Sequence, residues 1–540
     1  MSDSAQPTGI RRRTFLKVLG ATGAAAATTG CSPDDVGKLI PYTVSPDQTI
    51  AGVSTYYATV CRECSTACGI IAETRDGRTT KLEGNPADPM SRGALCARGQ
   101  SAVQGLYNPD RFRGPMQRQG DSWRSITWDE ATTLVAQRLS TGAANGVFIN
   151  QHESGSFNAF LEQWLQGAGM RPHLSVDFEA DDAAMQAHRE AYGVAWPRFD
   201  FSAARLIVSF GADFLDGWGA SVPQQLDFAD ARAKFQDAPR FIHVGPRRSL
   251  TGLNADQWIG CRPGSELAIL NFLRGQGTAD QAAQAAGVNA TELQSLAAEL
   301  RAAQPALVLA GVGTDDALEV ARAASALNQQ LGAVGTTIRT DQPVVAYDGM
   351  TPLRDLLATV EQMRAGQVPV AFIRGTNPAY YLPKAADFAG ALARVPFKVS
   401  FSLYPDETTE LCDLVLPDLH ALESWGDAQA TRGMIALQQP AMDPVFTDTR
   451  ATADVLMAIS QRRTAPAPTA TAGAAPPATL QNNYRTWLMS RFPGGTQAFA
   501  AGLTTGLVSG NLPVRTAGAG TQATAVRRPT ALSQQQGDFF

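Results

Sequence analysis

The chain has 540 residues, enough for two or more domains with cores of their own. Hydrophobic residues make up 44% and charged residues 18%, which excludes a disordered protein. The net charge of −5 argues against nucleic acid or an anionic membrane surface as the main partner, and seven cysteines are too few for a disulfide scaffold of this size.

The first predicted element is a targeting segment at 1–31. RRRTFLK at 11–17 is followed by a short, mildly apolar run at 18–30, too short to cross a bilayer. Arg12-Arg13 with Phe15-Leu16 reads as a twin-arginine export signal, the alternative being a general export signal with three arginines. That route carries proteins already folded around a cofactor. The run ends in TTGC, where Cys31 would carry lipid if the site is a lipobox; Thr28 stands where leucine is preferred. A linker at 32–54 follows.

VCRECSTACG at 60–69 places Cys61, Cys64 and Cys68 within eight positions, and Cys96 follows after 27 intervening residues. Three thiols this close make poor long-range disulfides. Zinc usually takes two separated C-x2-C pairs or Cys with His, and no His lies near. The spacing C-x2-C-x3-C-x27-C favours a [4Fe–4S] cluster, with Gly69 and Gly93 letting the backbone approach it. Arg98, read from the residues alone, is a cation beside an anionic cluster.

Further along, Thr127 and Glu130 have capping-box spacing ahead of a helix with Leu134, Val135 and Leu139. Apolar runs at 146–150, 205–213, 240–246, 306–313 and 368–378 read as buried parallel strands. They alternate with helical stretches such as 266–275 and 291–303. Glycines at strand ends (Gly211, Gly245, Gly311 and Gly375) suit a doubly wound sheet with open carboxyl ends. The five histidines have no metal-ligand spacing, and Tyr380-Tyr381 reads as packing.

The thiol pattern followed by Cys96-Ala97-Arg98-Gly99 resembles the N-terminal domain of the molybdopterin oxidoreductases. KLEGNPADPMSRGALCARGQ, LYNPDRFRGPM, the segment 244–270, RGTNP at 374–378 and the block 412–433 resemble that family's landmarks from about residue 55 to about 462. The resemblance implies an α/β protein. A 4Fe-4S domain at 55–105 comes first. Two doubly wound α/β domains follow, one at 106–145 and 366–462, the other inserted at 146–365. It also implies that Arg98 binds cofactor, on the electron path between cluster and pterin.

Two departures argue against a bound molybdopterin. The position of the family's metal ligand falls near Ala180, leaving only Asp181 or Asp182, which read better as helix caps. A Pro/Ala linker at 463–480 and a tail at 481–540 stand where the family's C-terminal β-barrel domain is expected. One branch with such losses is the large iron–sulfur protein of alternative complex III, a quinol-oxidising membrane complex. The expectation is therefore an exported subunit on the periplasmic side of the membrane, beside iron–sulfur and cytochrome partners. It would serve electron transfer or scaffolding, with a catalytic molybdoenzyme subunit as the alternative. Membrane association would come through partners or a lipidated Cys31.

Overall fold

The computed structural model describes residue 50 and residues 52–464 and 483–513. The export signal, Cys31 and most of the 463–480 linker lie outside the described residues. Among the described residues no helix is long and apolar enough to cross a membrane.

The chain opens with an antiparallel meander of β1 (Ser54–Val60), β2 (Gly69–Arg75) and β3 (Arg78–Gly84). Three of the cysteines sit in the turn from β1 to β2, and the fourth is the N-cap of the helix Ala97–Leu106. This is the expected small N-terminal domain.

The chain then forms β4 (Met116–Gln119), β5 (Ser122–Ser125), β6 (Val147–Gln151) and β7 (Leu174–Val176). Between β5 and β6 runs the helix Trp128–Gly142. It carries the expected capping box, with Thr127 and Glu130 bonding each other's backbone. An insert contributes β8 (Arg198–Phe199), β9 (Leu206–Phe210), β10 (Arg240–Val244), β11 (Gln257–Ile259), β12 (Ala306–Ala310) and β13 (Ile338–Arg339). The chain returns through β14 (Val370–Arg374), β15 (Phe397–Ser400) and β16 (Leu414–Val415). It finishes with β17 (Gly426–Thr431), β18 (Met434–Gln438) and β19 (Leu507–Ser509).

Two parallel sheets organise the molecule. The larger has the order β5-β4-β16-β15-β14-β6-β7, parallel from β16 to β7. Read in chain order, its five parallel strands lie as second, first, third, fourth and fifth, so connections leave to opposite sides between β6 and β14. The insert carries the all-parallel sheet β11-β10-β9-β12, whose direction of winding switches between β9 and β12. Their strands are almost wholly buried, such as VFIN and LIVSF, because helices cover both faces.

The boundaries of the insert differ from those expected. β6 and β7 belong to the larger sheet, and Leu356, Val360 and Met363 of the helix Leu353–Arg364 pack on its Val147 and Ile149. The insert therefore starts after Val176 and not at 146. Apolar strands carry no mark of the sheet they join, so the periodicity that found β6 could not assign it.

The segment 481–540 is also more than a tail. Helices Asn483–Arg491 and Gly495–Gly502 bury Tyr484, Leu488, Phe492 and Phe499, and β19 pairs antiparallel with β18. Tyr484, Leu488 and Phe492 recur every four residues, a helical signal hidden by the low-complexity flanks. Among the described residues no β-barrel follows residue 462.

Candidate functional site

The turn after β1 is closed by Cys61 N–H donating to Cys68 O at 2.9 Å, with Ala67 at φ +53° folding the loop back. Cys61 and Cys68 are buried, while Cys64 and Cys96 are half-buried, and all four are free thiols. Burial pushes Cys61 up to about 12 and Cys68 well above the usual thiol range. Cys64 and Cys96 add like charge to both. Burial also raises Cys64, against hydrogen bonds from Thr66. The four predicted ligands thus lie within electrostatic reach of one another, with Cys61 and Cys68 desolvated.

These residues fit an iron–sulfur cluster. Among the described residues no three His, Cys, Asp or Glu close around a single ion. A four-iron cube asks for a wider arrangement, with each thiolate on a different iron. The raised thiols hold their protons unless cationic iron replaces them. The helix Ala97–Leu106, capped by Cys96, turns its positive end to the site. When bound, such a cluster takes up and returns one electron.

Asp88, not singled out in the sequence, holds the far segment in place. Its carboxylate accepts from Gly69 N at 2.9 Å, Met90 N at 3.2 Å and Ser91 N at 3.0 Å. Gly69 leaves room for this carboxylate, since a Cβ there would lie 2.9 Å from Asp88 Cβ. Gly84 is tighter still: a Cβ would lie 2.2 Å from the Ala94 carbonyl oxygen, on the strand that backs the Cys96 segment.

Arg98 lies in the first turn after Cys96, half exposed, ion-paired with Glu179. Glu179 belongs to the loop after β7, where the family's metal ligand was expected. Asp181 in that loop caps the helix Asp182–Tyr192, accepting from Ala184 N at 2.9 Å, and also accepts from Trp218 Nε1 at 2.9 Å. It is a cap, as its position before a helix suggested.

A cavity of about 700 Å³ opens beside Cys64, at the carboxyl ends of the paired strands β6 and β14, where the connections leave to opposite sides. Ligands of such sheets bind at this switch point. Arg374, at the end of β14, is held by Glu153 Oε1 at 2.8 Å, Asp418 Oδ2 at 2.8 Å and Asn150 Oδ1 at 3.0 Å, over the ring of Phe157 at 4.2 Å. Burial would raise Glu153, but Arg374 and Arg62 hold it below the usual carboxylate range. Arg62 is engaged by Gln438 Oε1 at 2.7 Å and Asp427 O at 2.5 Å. Seven carboxylates line the cavity (Glu63, Glu153, Asp177, Glu179, Asp406, Asp418 and Asp427) against the two arginines, Arg62 and Arg374.

Other residues fall as follows. Tyr484 and Thr452 also line the cavity and are buried, with hydroxyls that no protein group meets. His152 reaches the wall but is bonded through Nδ1 to Ser175 Oγ at 2.8 Å and through Nε2 to Ala346 O at 2.7 Å. Tyr381 stacks on Phe178 at 5.3 Å at the cavity wall, and both it and Tyr380 are exposed. A second cavity, of about 240 Å³, lies at the switch point of the insert, between Gly211 and Gly311. There Arg247 is paired with Asp213 at 2.8 Å, and the buried Glu266 is raised by desolvation.

A family model of the molybdopterin oxidoreductase Fe4S4 domain matches residues 54–108, and one of the molybdopterin oxidoreductases matches residues 111–462. The chain is a molybdopterin oxidoreductase family member. It is 28% identical over 496 residues to the menaquinone reductase, molybdopterin-binding-like subunit, of Nitratidesulfovibrio vulgaris, covering 83% of this chain and 72% of that one. To the thiosulfate reductase molybdopterin-containing subunit of Salmonella typhimurium it is 27% identical over 281 residues, 48% of this chain and only 34% of that subunit. Among solved structures, acetylene hydratase from Pelobacter acetylenicus superposes with a TM-score of 0.65 at 15% identity, over 85% of this chain and 76% of that one. At that identity the likeness speaks for the fold alone. The family's Fe4S4 domain thus accounts for the thiol loop, and its α/β domains for the two switch points.

Proposed function

We propose that this family member is an electron-transfer or scaffolding subunit of a membrane respiratory complex, of the quinol-oxidising alternative complex III kind. It holds one [4Fe–4S] cluster on Cys61, Cys64, Cys68 and Cys96 and works without a bound molybdopterin. It is exported by the twin-arginine route and sits on the periplasmic side, beside iron–sulfur and cytochrome subunits. The similarity to a menaquinone reductase subunit, itself molybdopterin-binding-like, supports membership of a multi-subunit quinone-linked complex.

The observation that carries the reading is the charge of the switch-point cavity. A pyrophosphate-bearing pterin asks for free cationic and N–H donors. Arg374, the cation at the switch point, is already neutralised by Glu153 and Asp418, and the charged side chains that line the cavity are seven carboxylates against two arginines. Arg247 at the second switch point is ion-paired with Asp213 in a largely exposed position. The thiol site has no such conflict.

Iron and molybdenum per chain, measured on anaerobically purified native protein and followed by EPR of a reduced sample, test this. About four irons per chain with a cubane signal and no molybdenum are expected. Stoichiometric molybdenum would refute the reading and make the chain a catalytic subunit. Neither metal would leave a scaffold without a cluster.

A further inference from the structure

The loop between β7 and the helix Asp182–Tyr192 touches the thiol site at two points. Ser65, the neighbour of Cys64, donates its hydroxyl to Asp177 Oδ2 at 2.5 Å. Arg98, two residues past Cys96, is paired with Glu179, 81 positions away in the chain. The loop is pinned at both ends of this contact. Glu179 N–H donates to Asp177 Oδ1 at 3.0 Å, and Asp181 is fixed by the helix it caps and by Trp218 Nε1. A segment that offers no thiol or hydroxyl ligand to a metal thus presents two carboxylates to the cluster loop and its adjoining cation.

The reduction potential of an iron–sulfur cluster follows the charges and hydrogen bonds around it. Reduction adds one electron, so an uncompensated cation nearby stabilises the reduced form and an uncompensated anion the oxidised form. Arg98 is the charged side chain nearest in sequence to Cys96. Left alone it would favour reduction; with Glu179 against it the pair is close to neutral. We propose that Glu179 is a positioning residue that sets the potential of the cluster, by neutralising Arg98 and holding it in the first turn of its helix. Asp177 fixes the loop that presents it. No bond is made or broken; one electron enters or leaves the cluster, from a redox partner or a chemical reductant.

The inference rests on the proposal that the cluster is held. Its test is a redox titration of the purified holoprotein, followed by EPR, in the parent, E179Q, E179D and R98Q chains, with dithionite as reductant and iron counted in each. The partners are 44% and 45% exposed, so solvent screens the effect to a modest one. E179Q should raise the reduced-to-oxidised ratio at the parent midpoint about fivefold, equivalent to ~40 mV for one electron. R98Q should lower it by a similar factor, because Glu179 is then uncompensated. E179D should stay near the parent. A fully iron-loaded E179Q with the parent's midpoint overturns the inference, as do E179Q and R98Q shifting in the same direction. If E179Q fails to keep its iron, an R98Q chain at the parent's potential overturns it instead. A parent chain without iron sinks the cluster reading and this inference together; a parent cluster whose potential ignores both charges sinks this one alone.

Discussion

Glu423→Gln is expected to be among the most damaging conservative changes in this chain. Arg111 and Glu423 form a two-pronged pair, Nη2 to Oε2 at 2.7 Å and Nη1 to Oε1 at 3.0 Å, with side chains only 1% and 0% exposed. The carboxylate also accepts from Val445 N at 2.8 Å and His420 N at 2.9 Å, while Arg111 donates to Leu106 O at 2.8 Å, the last residue of the Cys96 helix. One pair therefore ties the thiol domain to the turn Ala421–Glu423 at the cavity wall. Removing one partner leaves a buried guanidinium without its counter-charge, which costs about 3–5 kcal/mol. Replacing both by apolar side chains, as in R111M/E423L, removes both charges together and should cost less than the sum of the single changes. The coupling in the double-mutant cycle should be of order 1–3 kcal/mol. Urea unfolding followed by far-UV circular dichroism, with iron release recorded in parallel, measures both. E423Q losing under about 1 kcal/mol, or single and double changes that simply add, would refute the reasoning.

The other expectations concern separate parts of the molecule. Gly84→Ala drives a methyl into the Ala94 carbonyl, so it should cost about 1–3 kcal/mol and lower iron content, read by unfolding and iron assay. Tyr484→Phe removes a buried hydroxyl that no protein group meets, so it should be neutral or stabilising by up to about 1 kcal/mol. Tyr484→Ala should instead cost about 3–5 kcal/mol, because the ring packs on Phe157, Phe160 and Trp487. His188 is held neutral, its pKa pushed down to about 4 by burial among Tyr192, Trp196 and Phe199. The unfolded chain takes up that proton first, so stability is present above pH 6.5 and is lost as the pH falls toward 4, by about 3 kcal/mol. His188→Gln should flatten the thermal midpoint across that window; an unchanged acid slope would count against this assignment.

The thiol site was legible because its ligands sit in two short segments whose spacing is itself the signal. The sheets were legible because runs such as LIVSF and ALVLA are buried on both faces and end at glycines. Charge in the cavity was not. Glu153, Arg374 and Asp418 come from three strand ends, more than two hundred residues apart between the first two. No one segment shows that the arginine at the end of β14 is already paired. Strand-end positions follow from the topology of the sheet, while side-chain pairing across a switch point depends on register between strands distant in the chain. The same distinction separates Arg98 from Glu179: the first was found from its neighbour Cys96, and the second could be found only when β7 was placed at the edge of the larger sheet. The charge of the switch-point cavity is therefore set by a few strand-end side chains, independently of the sheet that frames it. For this chain the potential of the cluster in E179Q and R98Q tests one such arginine–carboxylate pair, and the molybdenum content of the parent tests the other, Arg374 with Glu153 and Asp418.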